Sequence, residues 1–186
     1  MKQEFKILGN IKCKITNQSS LTLKQWAFNK DLKEKLLKGL IDKKEFLAKF
    51  IFGDIRLVTE QHNLIATTGL TVIARVLAND TTYSGFPNIA SLGTGTTAPA
   101  LSDTKLETET YRNEQFSASY TGTKALLTAF YDSGECSGTF KEFGNFIDGL
   151  VATADSGQLF SHLATNWTKN DIDTMTVSQE YTIINV

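Results

Sequence analysis

The chain has 186 residues, 41% of them hydrophobic and 21% charged, with a formal net charge of −1. That length supports one domain with its own core, and the near-average composition excludes a disordered or fibrous chain. Apolar runs such as Leu64-Ile65-Ala66 fall far short of the ~20 residues that a membrane-spanning helix needs, so no membrane association is expected.

The opening residues, MKQEFKILGN, carry charge without a following apolar stretch, so no secretory signal and synthesis in a cytoplasm are expected. The total charge conceals an asymmetry. Residues 1–50 hold twelve lysines against five acids, whereas 51–186 hold seven basic and fifteen acidic residues. Opposite signs on one chain favour pairing between copies, through attraction that salt screens. The lysines are interleaved with acids and no arginine accompanies them, which argues against nucleic acid as the partner.

In chain order, alternation from Asn10 to Ile15 predicts a strand, and Asn17-Gln-Ser-Ser20 a turn. Leu32, Leu36, Leu37 and Leu40 fall at helical spacing, with Asn29 as the expected cap and Gly39 as the stop. A second helix from about Asp42 to Phe50 places Phe46, Leu47 and Phe50 on one face and leaves Lys43, Lys44 and Lys49 solvated. From Ile51 to Glu60 a strand is predicted, with Ile55, Leu57 and Thr59 inward. Asn63 to Ala78 then reads as one amphipathic helix ended by Asn79-Asp80.

Beyond residue 80, short Thr-, Ser- and aromatic-rich runs punctuated by glycine predict strands near 87–93, 106–120, 123–132, 137–147, 158–164 and 173–186. The expected fold is α+β, mainly an antiparallel, sandwich-like β domain with an N-terminal strand and helical segment. The composition shift divides it into a basic arm, 1–50, and a β-rich domain, 51–186, with one helix near 64–78.

Chemistry-bearing motifs are sparse. Gly93-Thr-Gly95-Thr-Thr-Ala98 fits a dinucleotide fingerprint formally, but Pro99-Ala-Leu-Ser-Asp103 reads as a turn where a phosphate-binding helix should open, so the glycines are taken as a structural turn. His62 and His162 have no metal or base-catalyst spacing. Asp132, Ser133 and Cys136 form no recognisable triad in the linear sequence, and Asp171 and Asp173 lack the remaining ligands of a calcium loop. Cys13 and Cys136 have neither disulfide nor zinc spacing and read as ordinary thiols. Glu107, Glu109 and Glu114 alternate along a strand and read as a solvated face, and Arg112 is expected to tie down an acid such as Asp103. Phe130, Tyr131, Phe140, Phe143, Phe146 and Phe160 read as core or interface. No catalytic residue, cofactor or metal is expected.

Several segments carry a resemblance by their order: Asn63-Leu-Ile with Gly69-Leu, Ile89-Ala-Ser-Leu-Gly-Thr-Gly-Thr-Thr-Ala-Pro99, Ser102-Asp-Thr-Lys-Leu106, Glu109 and Arg112. After them come Gly138-Thr-Phe-Lys-Glu-Phe-Gly-Asn-Phe146, Gly157-Gln-Leu-Phe-Ser-His162, Lys169 and the terminal strand. From Phe52 onward the chain resembles bacteriophage tail and virion structural proteins of the tail-fibre and tail-collar type. The resemblance implies a non-enzymatic particle component in the tail, baseplate or connector, located in the virion and in contact with other virion proteins. Such a subunit is expected to be a homo-oligomer, a ring or trimer. Capsid decoration, or a fibre-adaptor module binding a cell-surface glycan through Trp167 or Tyr131, is the alternative. The residues expected to shape structure and interfaces are Gly93, Gly95, Asp103, Arg112, Glu142, Phe143, Phe146, Lys43 and Lys44.

Overall fold

A computed structural model describes residues 5–185. Met1–Glu4, which include Lys2 of the basic segment, and Val186 of the expected terminal strand lie outside the described residues. The fold is mostly antiparallel β. Among the described residues nine strands form one sheet: β1 (Phe5–Asn17), β2 (Asp54–Ile65), β3 (Ile89–Gly93), β4 (Glu109–Glu114), β5 (Ser117–Thr121), β6 (Lys124–Tyr131), β7 (Gly138–Ile147), β8 (Gln158–Lys169) and β9 (Asp173–Asn185). Their order is β4-β3-β7-β8-β2-β1-β9-β6-β5.

The two edge strands, β4 and β5, are consecutive in the chain. The run expected as one strand over 106–120 is therefore broken at Gln115 and Phe116, where the backbone passes from one edge of the sheet to the other. Gln115 N–H donates to Asn88 O at 2.8 Å and Phe116 N–H to Thr128 O at 2.6 Å, so this link is hydrogen-bonded to both edges. The sheet is thus curled, and side chains from both of its halves share one core. Ile11, Cys13, Ile15, Met175 and Val177 from β1 and β9 pack with Leu92, Phe143, Leu163 and Trp167 from β3, β7 and β8.

β1 lies between β2 and β9 and pairs with β9 from Phe5↔Asn185 to Asn17↔Asp173. The compositional shift at residue 50 therefore falls within the sheet's own connectivity: the lysine-rich segment supplies a central strand. Lys6, Lys12 and Lys14 alternate there with the buried or half-buried Ile7, Ile11, Cys13 and Ile15.

Among the described residues three α-helices complete the fold, α1 (Leu23–Leu37), α2 (Lys43–Lys49) and α3 (Thr67–Leu77), with a short 3-10 turn at Gln18–Ser20. α1 starts earlier than its leucine spacing predicts, because Thr22 and Gln25 form a capping box. Asn29, the expected cap, is buried inside the helix instead. Its side chain donates to Ile51 O at 2.7 Å and accepts from Ile51 N–H at 2.9 Å, which ties α1 to the segment after α2. Leu32, Phe46 and Phe50 bury a second small core against Phe130 on β6.

The helix expected from Asn63 begins only at Thr67. Residues up to Ile65 stay in β2, with Asn63 opposite Gly9 and Leu64 opposite His162. Ile55, expected inward, is 60% exposed. The register slips between Ile15 and Thr16, so that Leu57 and then Ile55 are the successive partners, and this bulge turns Ile55 out of the core. α3 lies directly on β8. A Cβ at Gly69 would fall 2.7 Å from the Phe160 backbone, so a side chain there would push the helix off the strand.

Candidate functional site

The residues singled out in the sequence gather mainly at one place, the long loop from Thr94 to Thr108 between β3 and β4. A carboxylate holds it. Glu142 extends from β7 and is 1% exposed; its Oε1 accepts the N–H groups of Gly95 at 2.9 Å and Thr108 at 2.8 Å, and its Oε2 accepts that of Glu107 at 2.9 Å. Three backbone donors satisfy a buried charge that would otherwise be costly.

This clamp explains both glycines. A Cβ on Gly93 would lie 2.4 Å from Glu142 Oε1, and one on Gly95 would lie 2.5 Å from the same oxygen. The signature that mimics a phosphate-binding loop is thus a loop whose backbone amides cradle the protein's own carboxylate. Glu107 repeats the device at the surface by accepting Thr96 N–H at 2.7 Å and Thr97 N–H at 2.8 Å. These bonds, led by the Thr97 backbone, hold its carboxyl below the ordinary range.

Asp103 and His162 close the other end of the loop. Asp103 Oδ2 accepts Ala100 N–H at 2.8 Å, and His162 Nδ1 lies 2.8 Å from the same oxygen. Partial burial pushes the Asp103 carboxyl up, but the Ala100 N–H and His162 outweigh it and leave its pKa lowered. His162 is 3% exposed, and its Nε2 is 3.2 Å from Glu142 Oε2 without the alignment of a hydrogen bond. The ring stands between two carboxylates. Asp103 orients one nitrogen, and the other faces Glu142 rather than a hydroxyl or thiol, so the ring joins the 94–108 loop to β8.

Arg112 and Glu109 form a second buried unit on β4. The expected Arg112–Asp103 contact is not made: Arg112 pairs with Glu109 through both guanidinium and carboxylate arms, with Nη2 to Oε2 at 2.7 Å. Three residues apart, the two side chains reach each other because the strand has a register slip between Leu92 and Gly93 that turns Glu109 inward. Their side chains are 4% and 3% exposed, so Glu109 does not belong to a solvated face. Arg112 also donates to Leu150 O at 3.0 Å and Ser156 Oγ at 2.7 Å, and lies over the Phe146 ring at 5.0 Å. It therefore fixes the 148–157 loop to β4.

Phe143 points the other way, into the core, with its ring 5.6 Å from that of Trp167. Lys43 and Lys44 are not part of this site. They sit on α2, where Lys43 is 3.7 Å from Glu114 and over Phe116 while Lys44 is exposed.

Asp132 pairs with Lys33, and Asp173, fully buried, pairs with Arg56 and accepts Asn170 N–H at 2.9 Å. Both acids are thus committed to structural contacts. Among the described residues no group of three or more His, Cys, Asp or Glu side chains could hold a metal ion. Trp167 and Tyr131 are 1% and 0% exposed and cannot serve as a sugar platform.

Linear sequence could not assemble His162 with Asp103 and Glu142, because partners 59 and 20 positions away meet only through the β7–β8 pairing and the returning loop. No family model, no curated protein and no solved structure matches this chain.

Proposed function

We propose that the chain is a structural subunit of a bacteriophage particle, in the tail, baseplate or connector, that assembles through contacts with its own copies and with neighbouring virion proteins. The observation that carries this reading is large apolar side chains left in solvent on a well-stapled β body. Leu23 is 87% exposed, Trp26 54%, Tyr120 83%, Ile172 49% and Ile183 49%. Apolar surface of this kind, gathered in patches, marks a surface to be covered.

A second support is spatial. Gly93, Gly95, Asp103, Leu106, Glu109, Arg112, Glu142, Phe146 and His162, scattered through the segments that resemble virion proteins, converge on two adjoining loops and the strands beneath them. They make a rigid frame, and in this reading the curled sheet packs its halves as a sandwich. Charge and hydrogen bonding are spent within the chain, as suits a repeated subunit whose loops must hold one shape.

The test is immunogold labelling of particles purified from a culture that produces the chain. Gold at one fixed location on the particle is the expected outcome, and antigen confined to the particle-free fraction contradicts the proposal.

One observation favours a receptor-binding variant of the same reading. An open groove of about 490 Å³ on the outer sheet face is lined by Asn10, Lys12, Glu60, Ser178 and Glu180, all able to hydrogen-bond a sugar. Glycan-array binding abolished by Glu60→Ala and Lys12→Ala together would move the assignment to that variant.

A further inference from the structure

We infer that two copies of this chain join through β5, the outer edge of each sheet adding to the other as an antiparallel strand about a two-fold axis. This inference rests on the self-assembly reading above and names the surface that would carry it.

The curled sheet has two edges, β4 and β5, and they differ. A free edge offers unpaired backbone donors and acceptors, which folded chains normally blunt with charge, proline or a bulge. β4 is blunted: it carries Glu109, Arg112 and Glu114, and its ladder slips between Leu92 and Gly93. β5, Ser117-Ala-Ser-Tyr-Thr121, has no charge and no proline, and its five residues pair with Thr128 to Lys124 without a slip. Ala118, Ser119, Tyr120 and Thr121 are exposed, Tyr120 by 83%. The edge is open.

Which groups are free follows from the hairpin. Thr121 and Lys124 close it around Gly122-Thr123, so they are a hydrogen-bonded pair. Bonding to β6 then alternates through Ser119 and Ser117, and Ala118 and Tyr120 turn their N–H and C=O groups outward. Among the described residues no further strand and no loop bond reaches these four groups.

The sequence of β5 complements itself. With the two-fold at Ser119, Ala118 stands opposite the partner's Tyr120 and Tyr120 opposite the partner's Ala118. Each such pair exchanges two N–H to C=O bonds, so four backbone bonds join the copies. Centring the axis on Ala118 or Tyr120 would use only one outward residue of each strand. On the face of Ala118 and Tyr120 a large ring meets a methyl group, twice. On the opposite face Ser119 meets its own counterpart and Ser117 meets the partner's Thr121, hydroxyl to hydroxyl. A two-fold brings each residue near its own copy, so a charge in this segment would repel itself, and residues 117–121 contain none.

The join is isologous, the form of most dimers. Backbone bonds and the covering of Tyr120 do not depend on attraction between charges, so this dimer is the unit that remains when high salt screens the rest.

Sedimentation velocity on the full chain at high salt, from micromolar to near-millimolar concentration, tests this. Wild type should reach twice 20.6 kDa. Ala118→Pro removes an outward N–H and leaves the bonds to β6 in place, as proline does on an edge strand. It deletes two of the four intermolecular bonds and should weaken the dimer roughly 10- to 100-fold. Tyr120→Lys, at an exposed position, sets a charge on the edge and should also give a monomer. It keeps the test decisive if proline disturbs the hairpin, and circular dichroism checks the fold of both variants.

Hydrogen exchange reads the edge without any substitution. The Ala118 and Tyr120 amides should exchange at least about 10-fold more slowly in concentrated than in dilute wild type, while the Ser119 amide, bonded to β6, stays protected in both. A multimer unchanged in both variants, with fast exchange at Ala118 and Tyr120 throughout, would overturn the edge pairing and leave self-assembly standing. Protection of the two amides only when a second virion protein is present would overturn self-pairing in favour of a foreign strand. A chain that stays at 20.6 kDa at every concentration, at low and high salt, would overturn both readings.

Discussion

Replacing Glu142 with glutamine tests whether the carboxylate clamp organises the site. Glutamine keeps the side-chain volume and one oxygen, which can remain at the position serving Gly95 and Thr108 N–H. The other oxygen becomes an NH2 group and meets the Glu107 N–H donor to donor. One charge-assisted bond is lost and a buried donor is left unpaired, a cost of about 1.5–3 kcal/mol. For a chain of this size that lowers Tm by roughly 3–12 °C.

Urea denaturation at neutral pH measures the stability change. Hydrogen exchange at Gly95, Glu107 and Thr108 shows where it acts, with protection falling at these amides more than in β1 or β9. A variant within about 0.5 kcal/mol of wild type, the scatter of ordinary surface substitutions, with unchanged exchange at the three amides, would refute the clamp.

Gly95→Ala should destabilise by about 1–3 kcal/mol through overpacking, since its Cβ would meet Glu142 Oε1 and the Glu107 side chain at 2.5 Å; Gly39→Ala, with open space around it but a φ of +66°, should cost only its backbone strain. Thermal melts of the two variants separate contact from conformation. Asp103 has a lowered folded-state pKa, so its contribution is present above the ordinary carboxylate range and fades as pH falls through that range toward the lowered value. Asp103→Asn should therefore flatten the acid limb of a stability-versus-pH curve. Burial pushes the Cys136 thiol up to about 12 and the Cys13 thiol higher still, so both should resist a thiol reagent in the native protein and react on unfolding, as absorbance titration would show.

The elements most legible in the sequence are those whose local pattern agrees with their final setting. The terminal strand alternates Met175, Val177, Gln179 and Tyr181 inward across the core, and Asp42 caps α2 where the phenylalanine face begins. Local pattern and final structure part where a long-range partner decides. Leu64 and Ile65 share helical spacing with Leu70 and Ile73, yet pairing with His162 and Ser161 keeps them in β2. The T-x-x-Q capping box at Thr22 marks the start of α1, ahead of the Asn29 boundary that leucine spacing alone suggests.

The site divides in the same way. Gly93, Gly95, Asp103, Arg112 and Glu142 stand out as residue types in an ordered motif. Which acid serves which partner depends on strand register: the slip before Gly93 gives Arg112 to Glu109, and the β7–β8 pairing brings His162 to Glu142 and leaves Asp103 to its other nitrogen.

The most direct test of self-assembly is the mass of the chain in solution, by size-exclusion chromatography with light scattering at low and high salt. Screening at high salt weakens the attraction between exposed charges beyond a few ångströms. A discrete multimer at low salt that loosens at high salt is the predicted result. A monomer of 20.6 kDa at both salts would contradict it.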